Sequence, residues 1–222
     1  MRFLCLHGMG TGSKARIMMY GIAAIRHELG DDHTYEFVQG TQEWPMAPVS
    51  NANVPHYAYY DYSVGAFIDA LDALEKYIKV EGPFDGVLGF SQGAGLAVMY
   101  LVRHAHLYPT APLPFKCAIV ISSIGVYDPF IWFSTGHSVE LDHMPPGVRK
   151  IGIPVALIWG EKDGAESKRE GEAMRNLFED EGVWTFVHGG GHDVPGPNIK
   201  DSVKGSVRAI RRAVTQARLS SS

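Results

Sequence analysis

Short apolar runs alternate with longer amphipathic stretches along the whole chain. Phe3 to Leu6, Thr34 to Val38, Val87-Leu88, Phe115 to Ser122, Pro154 to Trp159 and Val183 to His188 are each brief and apolar or β-branched, as strands are. Between them the apolar period changes to three and four. Phe67, Leu71, Leu74 and Ile78 predict a helix ending near Gly82-Pro83. Ala94, Leu96, Ala97, Val98, Met99, Leu101 and Val102 predict one that is apolar nearly all round, and Val203, Val207, Ile210 and Val214 predict a last helix with one buried face. A helix capped by Ser13 is expected to reach Leu29 with Gly30 as its stop, and a charged helix is expected from Gly164 to about Asp180. The last serines should fray. Strands alternating with helices predict an α/β fold: a mainly parallel sheet with helices on both faces, forming one domain over residues 1–222.

Two segments carry no period. Residues 40–62 collect Trp44, Pro45, Pro48, Pro55, Tyr57, Tyr59, Tyr60 and Tyr62; residues 123–146 contain Phe130, Trp132, Phe133, His137 and Met144. Long loops in a compact domain are usually functional, so the first suits an apolar pocket wall and the second a lid. The plainer alternative is an aromatic cluster covering the sheet edge.

Composition narrows the function. With 45% hydrophobic and 20% charged residues this is an ordinary globular chain, and a net charge of −4 with a pI near 6.2 offers no field for a phosphate backbone, which argues against nucleic acid. Cys5 and Cys117 fall in apolar runs with no zinc or disulfide spacing and read as reduced core thiols. No apolar stretch approaches the roughly 18 residues of a membrane span, so a cytoplasmic protein without a membrane partner is expected. Gly8, Gly10 and Gly12 alternate and do not make a dinucleotide fingerprint. His104 and His106 point to different sides of a helix, so no cofactor or metal is called for.

The chemistry centres on Gly89-Phe90-Ser91-Gln92-Gly93, where a strand turns sharply into a helix. A serine on such a turn needs positive φ and very small neighbours two residues to either side, which Gly89 and Gly93 supply. Its hydroxyl can attack a carbonyl only if a base takes the proton. His192, in Gly189-Gly190-Gly191-His192, is the base this reading selects, with His188 as rival; Asp163, just after a strand, is the acid, with Glu161 and Asp193 as rivals. The order Ser, Asp, His is that of α/β-hydrolases. The backbone amides of Met9 and Gln92 are the candidate oxyanion donors. Tyr59, Tyr60, Trp132 and Phe133 are expected to line the acyl pocket.

Leu6-His7-Gly8-Met9-Gly10, the block from Gly82 to Ala94 and Gly190-Gly191-His192-Asp193-Val194-Pro195 together resemble the fungal serine hydrolase family of small α/β-hydrolases, over nearly the whole length. The resemblance implies a minimal α/β-hydrolase sheet lacking the first strands, with Ser91 as nucleophile, Asp163 as acid and His192 as base. It also implies esterase or thioesterase activity in fungal secondary metabolism, as in hydrolases that release polyketides in the lovastatin and citrinin pathways. The expected reaction is hydrolysis of an acyl thioester, on a carrier protein or coenzyme A. The alternatives are a carboxylesterase on a small free ester and an inactive binding protein on a hydrolase fold. Lys200, Lys204, Arg208 and Arg211 or Arg212 form a basic stripe opposite the apolar face of the last helix. It is either a solvated surface or a dock for an acidic acyl carrier protein.

Overall fold

The computed structural model describes residues 1–11, 21–47 and 55–220. Its strands are β1 (Arg2–Leu6), β2 (Thr34–Val38), β3 (Gln42–Glu43), β4 (Tyr57–Ala58), β5 (Gly86–Phe90), β6 (Cys117–Ile121), β7 (Val155–Gly160) and β8 (Val183–His188). Six of them form one sheet in the order β2-β1-β5-β6-β7-β8, with every neighbouring pair parallel. The helices are α1 (Ala23–Leu29), α2 (Val64–Glu81), α3 (Gln92–Leu107), α4 (Pro129–Thr135), α5 (Ala165–Ala173) and α6 (Ser202–Leu219).

Strand alternation divides the core into two layers. Leu4 and Leu6 of β1, Val87 of β5 and Leu157 of β7 pack with Phe67 and Leu71 of α2 and with much of α3. Phe3, Cys5, Leu88, Ile119 and Ile158 point to the other face, against Ile25 of α1 and Val207, Ile210 and Val214 of α6. Both cysteines are free and buried, and burial pushes the Cys117 thiol up to about 12 and raises that of Cys5 as well. Each fully buried aliphatic side chain contributes roughly 1.5–3 kcal/mol, so covering both faces is what holds a parallel sheet together. Among the described residues no helix is long and apolar enough to cross a membrane.

The chain passes from β1 outward to β2 and then returns to the other side of β1 as β5. The loops leaving β1 and β5 therefore diverge from adjacent strand ends, the position where open α/β sheets bind ligands.

Several expected boundaries move. The described helix before Gly30 is Ala23–Leu29, and Ser13 lies outside the described residues. Residues 40–62 are not wholly irregular, because β3 and β4 pair antiparallel there; residues 48–54 are outside the described set. Residues 123–146 contain α4, whose start is set by Asp128 accepting from the amides of Phe130 and Ile131, with Pro129 in the first turn and Gly136 (φ 74°) as its stop. At seven residues it is too short to show a helical period. The charged helix stops at Ala173, continues as a tight turn over Met174–Leu177, and ends where extended Phe178 bridges to Ile151.

Candidate active site

Ser91 sits between β5 and α3 with φ 55° and ψ −123°. The turn closes so tightly that a Cβ on Gly89 would lie 2.4 Å from Ala94 Cα, and one on Gly93 would lie 2.5 Å from the carbonyl oxygens of Leu6 and His7. No larger residue fits at either position. Ser91 donates its N–H to Ile121 O at 3.0 Å, which ties the turn to β6. Its hydroxyl makes no cap to α3 and instead lies 2.9 Å from His192 Nε2.

His192 Nδ1 is 2.9 Å from Asp163 Oδ1. The same carboxylate accepts from the Gly164 amide at 2.7 Å and from Ser167 Oγ at 2.8 Å. Burial works against ionisation of Asp163, but the hydrogen bonds from His192 and Ser167 outweigh it and hold the carboxyl at about 2. An ionised Asp163 accepts from Nδ1–H, which leaves Nε2 free to accept the proton of Ser91. The rivals lie elsewhere. His188 is buried at the end of β8, its Nδ1 accepts from the Gly190 amide, and burial lowers its pKa; Glu161 and Asp193 are exposed.

The loop after β1 is braced from several directions. His7 is fully buried; its Nε2 accepts from the Gly40 amide at 2.8 Å, so its Nδ1 carries the proton given to Gly8 O, also at 2.8 Å. Burial lowers the His7 pKa to about 4, which keeps the ring neutral in this role. Thr11 Oγ1 also donates to Gly8 O, while the Gly10 amide donates to Tyr57 O. Met9 lies between these fixed points. Gln92 occupies the first position of α3, where a helix leaves its amides without internal partners.

The sequence points only to the backbone of Gln92, yet its side chain is buried and bonds to the backbone just after β4. Oε1 accepts from the Tyr59 amide at 2.9 Å and Nε2 donates to Tyr60 O at 2.8 Å. A polar side chain inside the buried turn block was the available signal.

Of the four aromatic residues expected to share one pocket, only Tyr60 and Trp132 are brought together. Tyr60 and Trp132 are buried around Phe67, with Trp132 stacked on it at 4.3 Å. Tyr59 donates its hydroxyl to Val38 O and accepts from the His7 amide, and it lines a cavity of about 350 Å³ with Leu6, Leu74 and Leu96. Phe133 is 66% exposed and lines a separate groove of about 210 Å³ with Phe130, Leu107 and Leu71. Phe67 supplies the reason: it offers Trp132 and Tyr60 a dry aromatic contact that a cleft wall would not.

The fold is shared with solved structures of SOBER1 from Arabidopsis thaliana (TM-score 0.58, 18% identity, covering 96% of this chain and 98% of that one) and ClbQ from the colibactin NRPS/PKS pathway (TM-score 0.58, 13% identity, 98% of each chain). In sequence the chain is 39% identical over 223 residues to Esterase FPY3 of Fusarium mangiferae, covering 98% of both. The serine hydrolase (FSH1) family pattern matches residues 1–202, which include the Ser91 turn, Asp163 and His192. A full-length relative and a match over nine-tenths of the chain agree, and the protein belongs to the serine hydrolase (FSH1) family.

Proposed function

We propose that this hydrolase cleaves an acyl thioester through an acyl-enzyme on Ser91. The observation that carries the reading is the unbroken series from Ser91 Oγ to His192 Nε2 and from His192 Nδ1 to Asp163, each step 2.9 Å. Ser91 Oγ attacks the acyl carbonyl as His192 takes its proton, and the resulting oxyanion is received by the amides of Met9 and Gln92. Collapse breaks the C–S bond, and His192 returns the proton to the departing sulfur. Water then attacks the acyl-serine, again giving its proton to His192, and a carboxylic acid leaves as Ser91 recovers its hydrogen. Asp163 stays ionised throughout and stabilises the imidazolium. Each oxyanion donor is expected to be worth about 10²–10³ in rate.

A carboxylesterase acting on a free ester is the second reading, favoured by the esterase relative at 39% identity. The two share the acyl-enzyme and its hydrolysis and differ only in the atom expelled during acylation, so matched substrates separate them. Intact-mass spectra after incubation with acyl N-acetylcysteamine thioesters should show an acyl adduct that Ser91→Ala abolishes. The kcat/KM for a thioester should exceed that of the ester with the same acyl group. The opposite ranking favours the esterase, and failure of Ser91 to react with a fluorophosphonate favours an inactive binding protein.

The partner we propose is an acidic acyl carrier protein docked on α6. Lys204, Arg208, Arg211 and Arg212 are exposed, and among the described residues none of them pairs with a carboxylate. The start of α6 is joined to the His192 loop, since Ser202 Oγ donates to Gly196 O at 2.6 Å. Reversing Lys204 and Arg208 to glutamate should lower kcat/KM for carrier-bound substrate at low salt and spare the same acyl group on a small thiol. Equal loss on both would reject the dock.

A further inference from the structure

Glu170 lies on α5 and is 5% exposed. Its Oε1 accepts from the amides of Gly125 (2.9 Å) and Val126 (3.3 Å), while Oε2 is buried and meets no hydrogen-bond partner among the described residues. The loop it holds runs beside the hydrolytic site. Ile121, immediately before the loop, accepts the Ser91 amide; Ser122 (φ 43°) is buried toward Asp163; and Ile124 O lies so close to α3 that a Cβ on Gly95 would meet it at 2.6 Å. At its far end, Tyr127 donates its amide to Met99 Sδ of α3. The loop is therefore wedged between the nucleophile helix and α5, and Glu170 is the side chain that fastens it to α5. Asp163 and Ser167, which orient His192, sit at the start of the same helix.

Apart from the two amides, which favour the charged form, the groups around Glu170 resist its ionisation. Glu166 comes from α5 itself and Glu140 from the segment after α4, where Arg169 pairs with Glu140 and so offsets part of its charge. Tyr60 and Tyr62 approach from the segment before α2, and Tyr127 from the segment before α4. Tyr60 Oη is also buried without a partner among the described residues. Burial raises the Glu170 pKa to about 7, against the pull of the two amides and with added repulsion from Glu166 and Glu140. A buried acid poised at working pH is a recognised mark of a functional group.

We propose that Glu170 is a positioning residue of the hydrolase. In its protonated form it holds the 122–126 loop against the nucleophile helix, and in its ionised form it loosens that hold. Protonated, the carboxyl keeps both amide bonds and buries no net charge. Ionised, the carboxylate draws the two amides more strongly, but Oε2 then holds an unpaired charge in a dry site, with Glu166 and Glu140 adding repulsion. The larger desolvation penalty is relieved by α5 and the loop moving apart to admit water. Ser122 and Ile121 carry that movement to Asp163 and Ser91. The proposal rests on acylation at Ser91.

The test is the pH dependence of kcat/KM from pH 5.5 to 9.5 for wild type, Glu170→Gln and Glu170→Leu, each shown folded by circular dichroism. It is run alongside ¹H–¹⁵N spectra of the Gly125 and Val126 amides. Wild type should lose several-fold in kcat/KM with a midpoint near pH 7, matched by titration of the two amides. Glu170→Gln keeps the acceptor without the charge, and should lose both that alkaline limb and the amide titration. Glu170→Leu removes the acceptor and the charge together, and should be about tenfold slower than wild type at pH 6, with no alkaline limb near pH 7 and a smaller gap above it. If wild type and Glu170→Gln share the same alkaline limb, or if folded Glu170→Leu matches wild type at pH 6, the proposal is overturned. Activity surviving in Ser91→Ala would instead overturn the acyl-enzyme reading, and that outcome does not depend on Glu170.

Discussion

Asp163 and Glu170 are both carboxyl groups shut away from water at one helix, yet one is held at about 2 and the other pushed to about 7. Burial opposes ionisation at both sites. The difference lies in what faces them. Asp163 has donors on both oxygens: Oδ1 accepts from His192 and the Gly164 amide, and Oδ2 from Ser167. Glu170 places two amides on a single oxygen, leaves the other bare, and looks toward Glu166 and Glu140. A buried carboxylate is thus charged where both oxygens find donors and neutral where one does not. One short helix carries a carboxylate beside His192 at its start and, further along, an acid that takes up its proton near pH 7.

The largest expected effect breaks the comparison at Asp163. Asp163→Asn should lower kcat on the order of 10⁴-fold, because an amide no longer fixes the His192 tautomer, whereas Glu170→Gln should cost far less at pH 6. Steady-state kinetics on the two variants decides it, and a reversed ranking would mean the two roles are misassigned.

Next in size is the stability contribution of Glu170. Its folded pKa of about 7 lies above the 4.5 of a free glutamate, so its stabilisation is fully present below 4.5 and is lost as pH rises through 7. Urea melts should show Glu170→Gln more stable than wild type at pH 8, by on the order of 2–3 kcal/mol. The difference should shrink toward zero near pH 4. His7 works in the opposite sense: its pKa of about 4 lies below that of a free imidazole, so its contribution is lost as pH falls from 6.5 toward 4.

The smallest effect sharpens the comparison. Ser167→Ala removes one donor from Asp163 and makes its environment more like that of Glu170. It should raise the Asp163 pKa and cost about 1.5–3 kcal/mol at pH 7, the usual range for a hydrogen bond to a charged group. The loss should fade in acid, once Asp163 is protonated in both proteins. Parallel urea melts at pH 7 and pH 2 measure it.

Local patterns carried the framework. The alternation of apolar runs marks all six strands of the main sheet: the inner strands β5, β6 and β7 are buried at every position, while the edge strands β2 and β8 are half-buried and stand out by their β-branched and aromatic residues. The Ser91 turn was legible because its constraint is steric and acts over two residues. Gly89 and Gly93 would each collide with backbone if they carried a Cβ, so composition alone exposes the geometry. The strand-end positions of Asp163 and His192 followed from the same parallel arrangement. Helix α4 was also written locally, in Asp128, Pro129 and Gly136, but the segment reads as loop when judged only by period.

The rest depended on partners far away in the chain. His192 meets Asp163 across 29 residues and Ser91 across 101, Gln92 reaches Tyr59 across 33, and Glu170 reaches Gly125 across 45. Nothing near Glu170 in the sequence separates it from the exposed acids of its own helix, and nothing near Trp132 says that it will turn inward to Phe67 and away from the cleft. By itself, then, the sequence determined the sheet, its two apolar faces and the nucleophile turn, because hydrophobic periodicity and steric exclusion act between near neighbours. Only the tertiary structure decided which acid is charged, which aromatics are core and which amides are held in place. Desolvation and hydrogen-bond partnership come into being when distant segments close around a group.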